Sequence, residues 1–399
     1  MNPRQRCVLS AAAFLVALIT GIAICSSCSP RRPLKEQIQK ELDSLHAQYR
    51  FPGATAACIL PDGTVEAFAV GLADIEHNIP MTPQSRMLAA SIGKTFTGAT
   101  ILALAQENLL SLDDPVSKWL GDRPWYSRLP NHEEITIRHL LNHTSGIPDH
   151  VESEDFARAF GRDAELQNEP MPPEKLISFT WDRQPLFKAG EGWSYTDTGY
   201  ILLGLIIEKI TGRSYYEEVK RRFLEPWHLD LTSPSDRREL SGLASGYMAA
   251  ENRFGLPART TIRPEVMAWH PGIEWTGGGF VSNPRDLVVW GKNLFEGRAV
   301  KGRYLDDLLK SVQISEDDSL TLYGTAVAVK KGGPYGTVYG HGGWIPGYSS
   351  SLRYYPDYGV CIAFQINTDI GIVDHSTAII DDMENRLAEI VINAVRHRK

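Results

Sequence analysis

The sequence predicts an α+β protein in which one antiparallel sheet is built from the two ends of the chain. Strand-like segments occur near the start and near the end, and they are joined by short turns, which connect antiparallel strands. Between them, residues 86–245 have a mostly helical pattern with many Pro and Gly interruptions. Segregated strands and helices indicate α+β rather than a doubly wound sheet, so we interpret the helical middle as an inserted domain.

Two elements open the body of the chain. A helix is predicted by apolar and aromatic residues on one helical face, at Leu34, Ile38, Leu42, Leu45 and Tyr49. Residues 54–60 and 64–70 then read as two strands. The turn sequence Pro61-Asp62-Gly63 separates them, which predicts a β-hairpin.

The C-terminal part completes the predicted sheet. Four segments read as strands, at residues 322–329, 337–341, 348–355 and 360–366. A closing helix is predicted by one apolar stripe, formed by Ile380, Met383, Leu387, Ile390, Val391 and Ala394. We therefore expect an antiparallel sheet of about five or more strands flanked by the terminal helices. The sheet subdomain would span about 34–85 and 246–399, and the helical subdomain about 86–245.

Composition indicates an ordinary globular body. The 399 residues are 43% hydrophobic and 22% charged. The net charge of -7 provides no basic face, so we expect no nucleic acid partner. Cys58 and Cys361 lie in predicted strands, where buried free thiols are expected; one disulfide is the alternative, because an export compartment would permit it.

The N-terminus resembles an export signal. Arg4 and Arg6 precede an apolar run over residues 8–24, which is typical of a signal peptide; an uncleaved membrane anchor is the alternative. Cys28 follows two small serine residues, and we expect removal of residues 1–27 with lipid attachment at Cys28, as in bacterial lipoproteins. Cleavage without a lipid stays open. The body, residues 28–399, would then be exported and would be periplasmic or membrane-anchored.

Ser91 and Lys94 form the first candidate catalytic pair, at the start of a helix predicted over 91–104. Residues three apart share a helix face, with Cβ atoms about 5–6 Å apart. A serine hydroxyl needs an adjacent base to act as a nucleophile, and a lysine can serve if its pKa is lowered. A phosphate-binding loop is excluded, because position 88 is Leu where that motif needs Gly.

Two further motifs carry residues suited to proton transfer and substrate binding. Tyr195 and Asp197 precede an apolar helical stretch, and a phenol near cations can pass protons. The alternative is an aromatic residue on a loop before a helix. His341-Gly342-Gly343-Trp344 follows the predicted strand 337–341, where glycines let a ligand or backbone approach closely; a simple turn between two strands is the alternative.

Together these motifs resemble the penicillin-recognising serine hydrolases, which include class C β-lactamases, D-alanyl-D-alanine carboxypeptidases, D-aminopeptidases and related esterases. Ser91-x-x-Lys94 resembles their nucleophile motif, Tyr195-x-Asp197 their Tyr-x-Asn, and His341-x-Gly343 their Lys/His-x-Gly. Segments 140–147 and 277–287 resemble stretches that lie between these motifs in the family. The resemblance covers roughly residues 35–395 and implies a β-lactamase-like α/β sandwich with an inserted helical domain.

The resemblance also implies roles. Ser91 would be acylated, Lys94 and Tyr195 would share the proton transfer, and the N–H groups of Ser91 and Trp344 would form the oxyanion hole. His341 would orient Tyr195 or meet a substrate carboxylate. Substrate binding would involve Asp197, Gly343 and Trp344. We expect no cofactor and no catalytic metal.

The implied reaction is acyl transfer on a small-molecule or peptide substrate. The first hypothesis is a D-amino-acid peptidase or an enzyme like the D-alanyl-D-alanine carboxypeptidases. The alternatives are an esterase, a weak class C-like β-lactamase, and a penicillin sensor that is acylated without turnover.

Two positions depart from the family pattern. Asp197 stands where an Asn is usual, and a carboxylate only accepts hydrogen bonds whereas an amide also donates them. The change suits a substrate with a free amine. His341 replaces lysine and, with an unperturbed pKa near 6.5, predicts carboxylate binding that weakens above neutral pH.

Overall fold

The computed structural model describes residues 32–162 and 168–397. The predicted signal segment and the lipid attachment at Cys28 lie outside the described residues. Within these residues, no helix has the length and apolar character needed to cross a membrane.

The strands of the main sheet come from both ends of the chain, as predicted, and the region between them is mostly helical with a few short strands. The helices are α1 (Leu34–Tyr49), α2 (Lys94–Gln106), α3 (Ser117–Leu120), α4 (Ile137–Leu141), α5 (Glu154–Arg162), α6 (Pro173–Ser178), α7 (Asp197–Thr211), α8 (Tyr215–Val219), α9 (Pro284–Phe295), α10 (Arg303–Leu309) and α11 (Ile379–Arg396). The strands are β1 (Gly53–Ile59), β2 (Val65–Asp74), β3 (Ile79–Pro80), β4 (Met87–Leu88), β5 (Ser233–Pro234), β6 (Thr261–Arg263), β7 (Val266–Met267), β8 (Phe280–Ser282), β9 (Val312–Ser315), β10 (Asp318–Tyr323), β11 (Ala328–Gly333), β12 (Gly336–Ile345), β13 (Tyr348–Tyr355) and β14 (Val360–Ile366).

The main sheet is antiparallel and joins both ends of the chain, as predicted. Its nine strands in the described part of the chain run β3-β2-β1-β14-β13-β12-β11-β10-β9. The predicted hairpin forms between β1 and β2, where Gly63 has the left-handed φ of 87° that its turn requires. Beside it, β1 pairs with β14, and Ala54 lies opposite Ile366. The first and last strands of the body are therefore neighbours.

Helices cover both faces of the sheet. Against one face pack α1 and α11, whose buried side chains include Leu42 and Leu387. The other face carries α9, which the sequence pattern did not predict, and beyond it the helical middle of the chain. Because both faces are covered, every residue of β1 and β14 is buried. The result is the α/β sandwich that the resemblance implied.

The two cysteines of the described body are buried free thiols. Cys58 lies opposite Ile362, and Cys361 lies opposite Ile59 on the neighbouring strand. Successive side chains of a strand point to opposite faces, so the two thiols belong to opposite sides of the sheet. Burial raises the pKa of Cys58 to about 12. The prediction of free thiols is confirmed.

The predicted strand 322–329 is wrong. It is two strands, because β10 ends at Tyr323 and β11 begins at Ala328. Ala326 has a left-handed φ of 61° between them, and the N–H of Gly324 bonds to the carbonyl of Val327, 2.8 Å away. An apolar run thus contains a tight turn that its composition does not reveal.

Two further boundaries differ at the motifs. The predicted strand 337–341 continues to Ile345 as β12, so the His341 motif lies within a strand and the turn comes at Gly347. Ser91 does not open an α-helix. It lies on a 3₁₀ turn, Ala90–Gly93, and α2 begins at Lys94.

Candidate active site

The 3₁₀ turn places Ser91 at the surface of a cavity while its neighbours stay buried. Ala90 has a φ of 50°, which is uncommon for a residue with a side chain. The turn is held from two sides: the N–H of Ala89 donates to the carbonyl of Phe280 at 2.8 Å, and the hydroxyl of Ser350 donates to the carbonyl of Ala89 at 2.9 Å. The neighbouring strands therefore fix the conformation that exposes Ser91.

Two glycines let the surrounding backbone reach this turn. A Cβ on Gly343 would lie 2.5 Å from the carbonyl oxygen of Ala89, and one on Gly278 would lie 2.7 Å from the carbonyl carbon of Ala90. Real Cβ atoms do not approach so closely. Glycine is needed at both positions because β12 and the segment before β8 pack directly against the Ser91 turn.

Lys94 is fully buried behind Ser91, and three acceptors surround its amine. The Nζ atom donates to the Oγ of Ser91 at 3.1 Å and to the carbonyl of Gly277 at 2.6 Å. It also forms an ion pair with Asp197, the first residue of α7. An ammonium has three donors, so this arrangement satisfies its charge and all of its hydrogens.

Tyr195 lies on the other side of Ser91 and hydrogen-bonds to it. The Nζ of Lys94 is 4.9 Å from the centre of the Tyr195 ring. Burial, reinforced by the negative charge of Asp197, raises the pKa of Tyr195 well above its ordinary value, although the bond to Ser91 opposes this. The phenol is therefore neutral in the resting site.

His143 supports Tyr195 from behind, a position that its sequence motif did not reveal. The two rings are 4.2 Å apart between centroids. The N–H of Thr196 donates to the Nδ1 of His143 at 3.2 Å, so the neutral ring carries its proton on Nε2. Burial, and then the charge of Lys94, lowers the pKa of His143. A neutral ring packed on Tyr195 limits the movement of the phenol.

His341 lines the cavity, but not as a cation. Its Nδ1 donates to the carbonyl of Gly342 at 2.5 Å, and its Nε2 accepts from the hydroxyl of Tyr323 at 2.8 Å. Burial, and then the charge of Lys94, lowers the pKa of His341 to about 3. The expectation of a carboxylate-binding histidine that titrates near neutral pH is therefore wrong, because the imidazole is neutral and both nitrogens are engaged.

The predicted contact between His341 and Tyr195 is indirect. Their ring centroids are 6.2 Å apart, and Tyr323, which bonds to His341, has its ring 6.3 Å from that of Tyr195. His341 therefore acts on Tyr195 through ring packing and not through a hydrogen bond of its own.

Gly343 and Trp344 also line the cavity, as does Asp197. The indole N–H of Trp344 donates to Asp369 at 3.2 Å, and the N–H of Gly347 donates to the same carboxyl oxygen at 3.1 Å. This fixes the end of β12 that faces Ser91. The oxyanion role of the Ser91 and Trp344 N–H groups stays a prediction.

The cavity has a volume of about 480 Å³ and two kinds of lining residues. Carboxyl groups come from Asp149, Glu152, Asp197 and Glu274. Aromatic and aliphatic side chains come from Phe156, Phe160, Ile201, Phe254 and Ile273, among others. Among the described residues that line it, there is no lysine or arginine. The cavity suits a substrate with an apolar part and no negative charge.

Asp149 and Glu274 are buried carboxyls that the sequence did not indicate as site residues. Burial, and next the charge of Asp197, raises the pKa of Asp149 to about 8. Burial likewise raises the pKa of Glu274 to about 8, with Lys94 opposing and Asp197 adding to the shift. A lone acidic residue in a loop sequence gives no sign of such burial. Glu274 had one weak signal, its place three residues before the glycine run 277–279.

Within residues 32–162 and 168–397, no group of three or more His, Cys, Asp or Glu side chains is arranged to hold a metal ion.

Comparison with known proteins agrees with this geometry. The Beta-lactamase family profile matches residues 38–384. Penicillin-binding protein 4* of Bacillus subtilis (strain 168) is 25% identical over 349 residues, which cover 84% of this chain and 72% of that protein. Protein flp of Staphylococcus aureus (strain N315) is 31% identical over 201 residues, but these cover only 50% of this chain and 38% of flp.

Solved structures share the fold. A D-stereospecific amidohydrolase from Streptomyces sp. is 30% identical, with a TM-score of 0.73 over 84% of this chain and 95% of that one. D-amino acid amidase from Ochrobactrum anthropi SV3, complexed with D-phenylalanine, is 24% identical with a TM-score of 0.75 over 91% and 100% of the two chains. At that identity, the second comparison supports the fold alone.

Proposed function

Because the chain belongs to the Beta-lactamase family, we propose that it is a serine hydrolase that forms an acyl-enzyme at Ser91 and cleaves peptide-like amides. The observation that carries this proposal is that Ser91 and Tyr195 line one cavity, with the Nζ of the buried Lys94 3.1 Å from the Ser91 hydroxyl. Nucleophilic catalysis requires this kind of contact between a hydroxyl and its activating groups.

In the proposed mechanism, Tyr195 relays a proton: its oxygen takes the Ser91 proton as the hydroxyl attacks the substrate carbonyl, while its own proton passes to the nitrogen of the leaving amine. The Lys94 ammonium stabilises the negative charge that develops during this transfer, because it lies next to both groups. Water then releases the acyl group from Ser91, with Tyr195 taking a proton from the water and returning one to the Ser91 oxygen. The N–H groups of Ser91 and Trp344 would bind the oxyanion, a contact worth about 3–4 kcal/mol where such a donor has been removed.

We place the substrate among amides of D-amino acids rather than among carboxyl-terminal D-peptides. The neutral His341 and the cavity without lysine or arginine in its described lining offer no partner for a terminal carboxylate. The aromatic side of the cavity fits a bulky apolar side chain. The D preference is supported by the similarity to the Streptomyces D-stereospecific amidohydrolase.

The deciding experiment uses the purified protein with D- and L-amino acid p-nitroanilides, a chromogenic ester and a fluorescent penicillin. We expect turnover of a D-anilide and an acyl adduct on Ser91 that Ser91→Ala abolishes. Turnover of the ester alone would assign an esterase, and rapid penicillin hydrolysis would assign a β-lactamase. Stable penicillin labelling without turnover would indicate the sensor.

We also propose that the enzyme is exported and that Cys28 carries a lipid, on the basis of the N-terminal sequence alone. Metabolic labelling with an alkyne fatty acid tests this. The label should be lost in Cys28→Ser.

A further inference from the structure

The cavity is rich in carboxyl groups. Asp149, Asp197 and Glu274 line it, and Lys94 already forms its ion pair with Asp197. Burial, and next the charge of Asp197, raises the pKa of Asp149, and burial with the charge of Asp197 raises that of Glu274 against the opposing charge of Lys94. Ionising a buried carboxyl without a partner is costly, so a ligand that brings a positive charge would favour the ionised form.

Glu274 has a carboxyl oxygen without a hydrogen-bond partner among the described residues. That atom, Oε2, is buried. Buried polar atoms in folded proteins are nearly always paired, so such an exception needs an explanation. The residue lines the same cavity as Ser91.

Glu274 also lies at the right place relative to the reacting group. A Cβ added to Gly278 would touch both the Oε1 of Glu274, at 2.5 Å, and the carbonyl carbon of Ala90, at 2.7 Å. Only a glycine therefore separates this carboxyl from the residue before Ser91. In an amino acid amide, the α-ammonium is two bonds from the carbonyl carbon, so the two groups must be bound close together.

The carboxyl of Asp149 is already engaged by groups of the protein, so we expect it to play a secondary part in binding an ammonium. Its carboxyl accepts from the N–H of Val151 at 3.1 Å and from the N–H of Asp197 at the start of α7. It is also 3.6 Å from the Nδ1 of His150. These contacts explain its position without a ligand, whereas none explains the free oxygen of Glu274.

We propose that Glu274, assisted by Asp149, binds the free α-ammonium of the substrate and so restricts the enzyme to amides of amino acids with an unblocked amine. This rests on the proposed function at Ser91 and adds its specificity. The ammonium would donate to the unpaired oxygen of Glu274 while the substrate carbonyl faces Ser91. Acylated amines would lose the charge and add a group that the carboxyls cannot accommodate.

The test compares D-phenylalanine p-nitroanilide with 3-phenylpropionyl p-nitroanilide, which differs by the amine alone. In the wild type, kcat/KM should be about 10- to 100-fold higher for the substrate with the amine, the range expected for a charge-assisted hydrogen bond. Glu274→Gln should remove most of this difference by lowering kcat/KM for the amine substrate alone. Glu107→Gln is the control, because that carboxylate lies outside the cavity and already pairs with Arg222.

The outcomes separate the two proposals. Equal kcat/KM of the wild type for both anilides would overturn the ammonium site while the hydrolase stands, and this comparison needs no folded variant. Equal losses on both substrates in Glu274→Gln would also overturn it, since they would indicate a structural role. An absence of any turnover and of any adduct on Ser91 would overturn the proposed function, and the ammonium site with it.

Discussion

At the scale of single residues, Tyr195 and Lys94 together activate the Ser91 hydroxyl, a task that a single strong base could otherwise perform. The amine is held by three acceptors, and the phenol beside it has a raised pKa. Neither group is a ready base in the resting site. Proton transfer therefore has to accompany the attack of Ser91. The rate of acylation should then depend on the contact between the Tyr195 and Ser91 hydroxyls.

Tyr195→Phe tests this dependence. The ring would keep its packing on His143, 4.2 Å away, so the fold should remain intact. Loss of the hydroxyl should lower kcat by about 10²- to 10⁴-fold, the usual contribution of a positioned acid-base group. Single-turnover acylation of Ser91 measures it. Tyr247→Phe is the control, because its hydroxyl bonds to Glu76 outside the cavity; equal rates for the Tyr195 variant and the wild type would contradict the role.

Asp197→Asn tests the departure from the family pattern. The amide can donate to a substrate acyl carbonyl, which the carboxylate cannot. We expect the ratio of kcat/KM for N-acetylated over free-amine anilides to rise by about tenfold, the equivalent of one modest hydrogen bond. Overall activity should fall, because Lys94 loses its ion pair. An unchanged substrate ratio would count against this interpretation.

At the scale of elements, the site depends on how closely β12 approaches the Ser91 turn. Within β12, Gly343 faces the turn, whereas Gly342 points away from it: a Cβ on Gly342 would have its nearest neighbours 3.9 Å away. A side chain is therefore sterically excluded at Gly343 but not at Gly342.

Gly343→Ala and Gly342→Ala form a matched pair. The new methyl at 343 would meet the carbonyl of Ala89 at 2.5 Å and also the hydroxyl of Ser350. Overpacking of this kind costs about 1–3 kcal/mol and would shift the Ser91 turn. We expect Gly343→Ala to lose both unfolding free energy and kcat, while Gly342→Ala keeps its unfolding free energy within about 0.5 kcal/mol. Equal behaviour in urea denaturation would refute the close approach.

Element boundaries show what the sequence could predict. Periodicity identified α1, the β1–β2 hairpin, β13, β14 and α11, because their side chains alternate between one core and another environment. It failed for the break between β10 and β11 and for the 3₁₀ turn at Ser91, since both conformations are imposed by tertiary contacts. A single left-handed alanine, such as Ala90 or Ala326, has no sequence signature.

The site residues divide in the same way. Ser91, Lys94, Tyr195 and His341 could be found from motifs and they surround one cavity. The sequence did not reveal Asp149 and Glu274, whose meaning comes only from burial next to Asp197. It also misjudged the charge of His341, because desolvation and the amine of Lys94 act through space.

At the scale of the whole molecule, the site draws on distant parts of the chain that meet between the sheet and the helical middle. Segments 91–94, 195–197, 274–278 and 341–344 each supply one wall or one reacting group. The unfavourable burial of their carboxyl groups therefore arises only when the entire fold forms. We therefore expect the free energy of unfolding to depend on pH through these buried carboxyls.

The effect of the buried carboxyls on the free energy of unfolding can be measured separately from that of the histidines between about pH 6.5 and 8. His150 has a pKa of about 4 and His341 a pKa of about 3, so both are buried as neutral rings. Such histidines lower the free energy of unfolding only as pH falls below the unfolded pKa near 6.5. The raised carboxyls act in the opposite sense. Their stabilising contribution is complete below the unfolded pKa near 4 and is lost as pH rises through about 8.

Glu274→Gln should therefore be more stable than the wild type, and its advantage should grow with pH. The native wild type retains a proton that its unfolded state has lost, and one such proton changes the unfolding free energy by at most about 1.4 kcal/mol per pH unit. From pH 6.5 to 8 we expect the difference between variant and wild type to widen by about 1–2 kcal/mol, measured by urea denaturation. Glu152→Gln, exposed and paired with Arg253, should show a constant difference. A pH-independent difference between Glu274→Gln and the wild type would contradict the raised pKa of Glu274, because it would mean that the carboxyl is ionised in both the native and the unfolded state over this range.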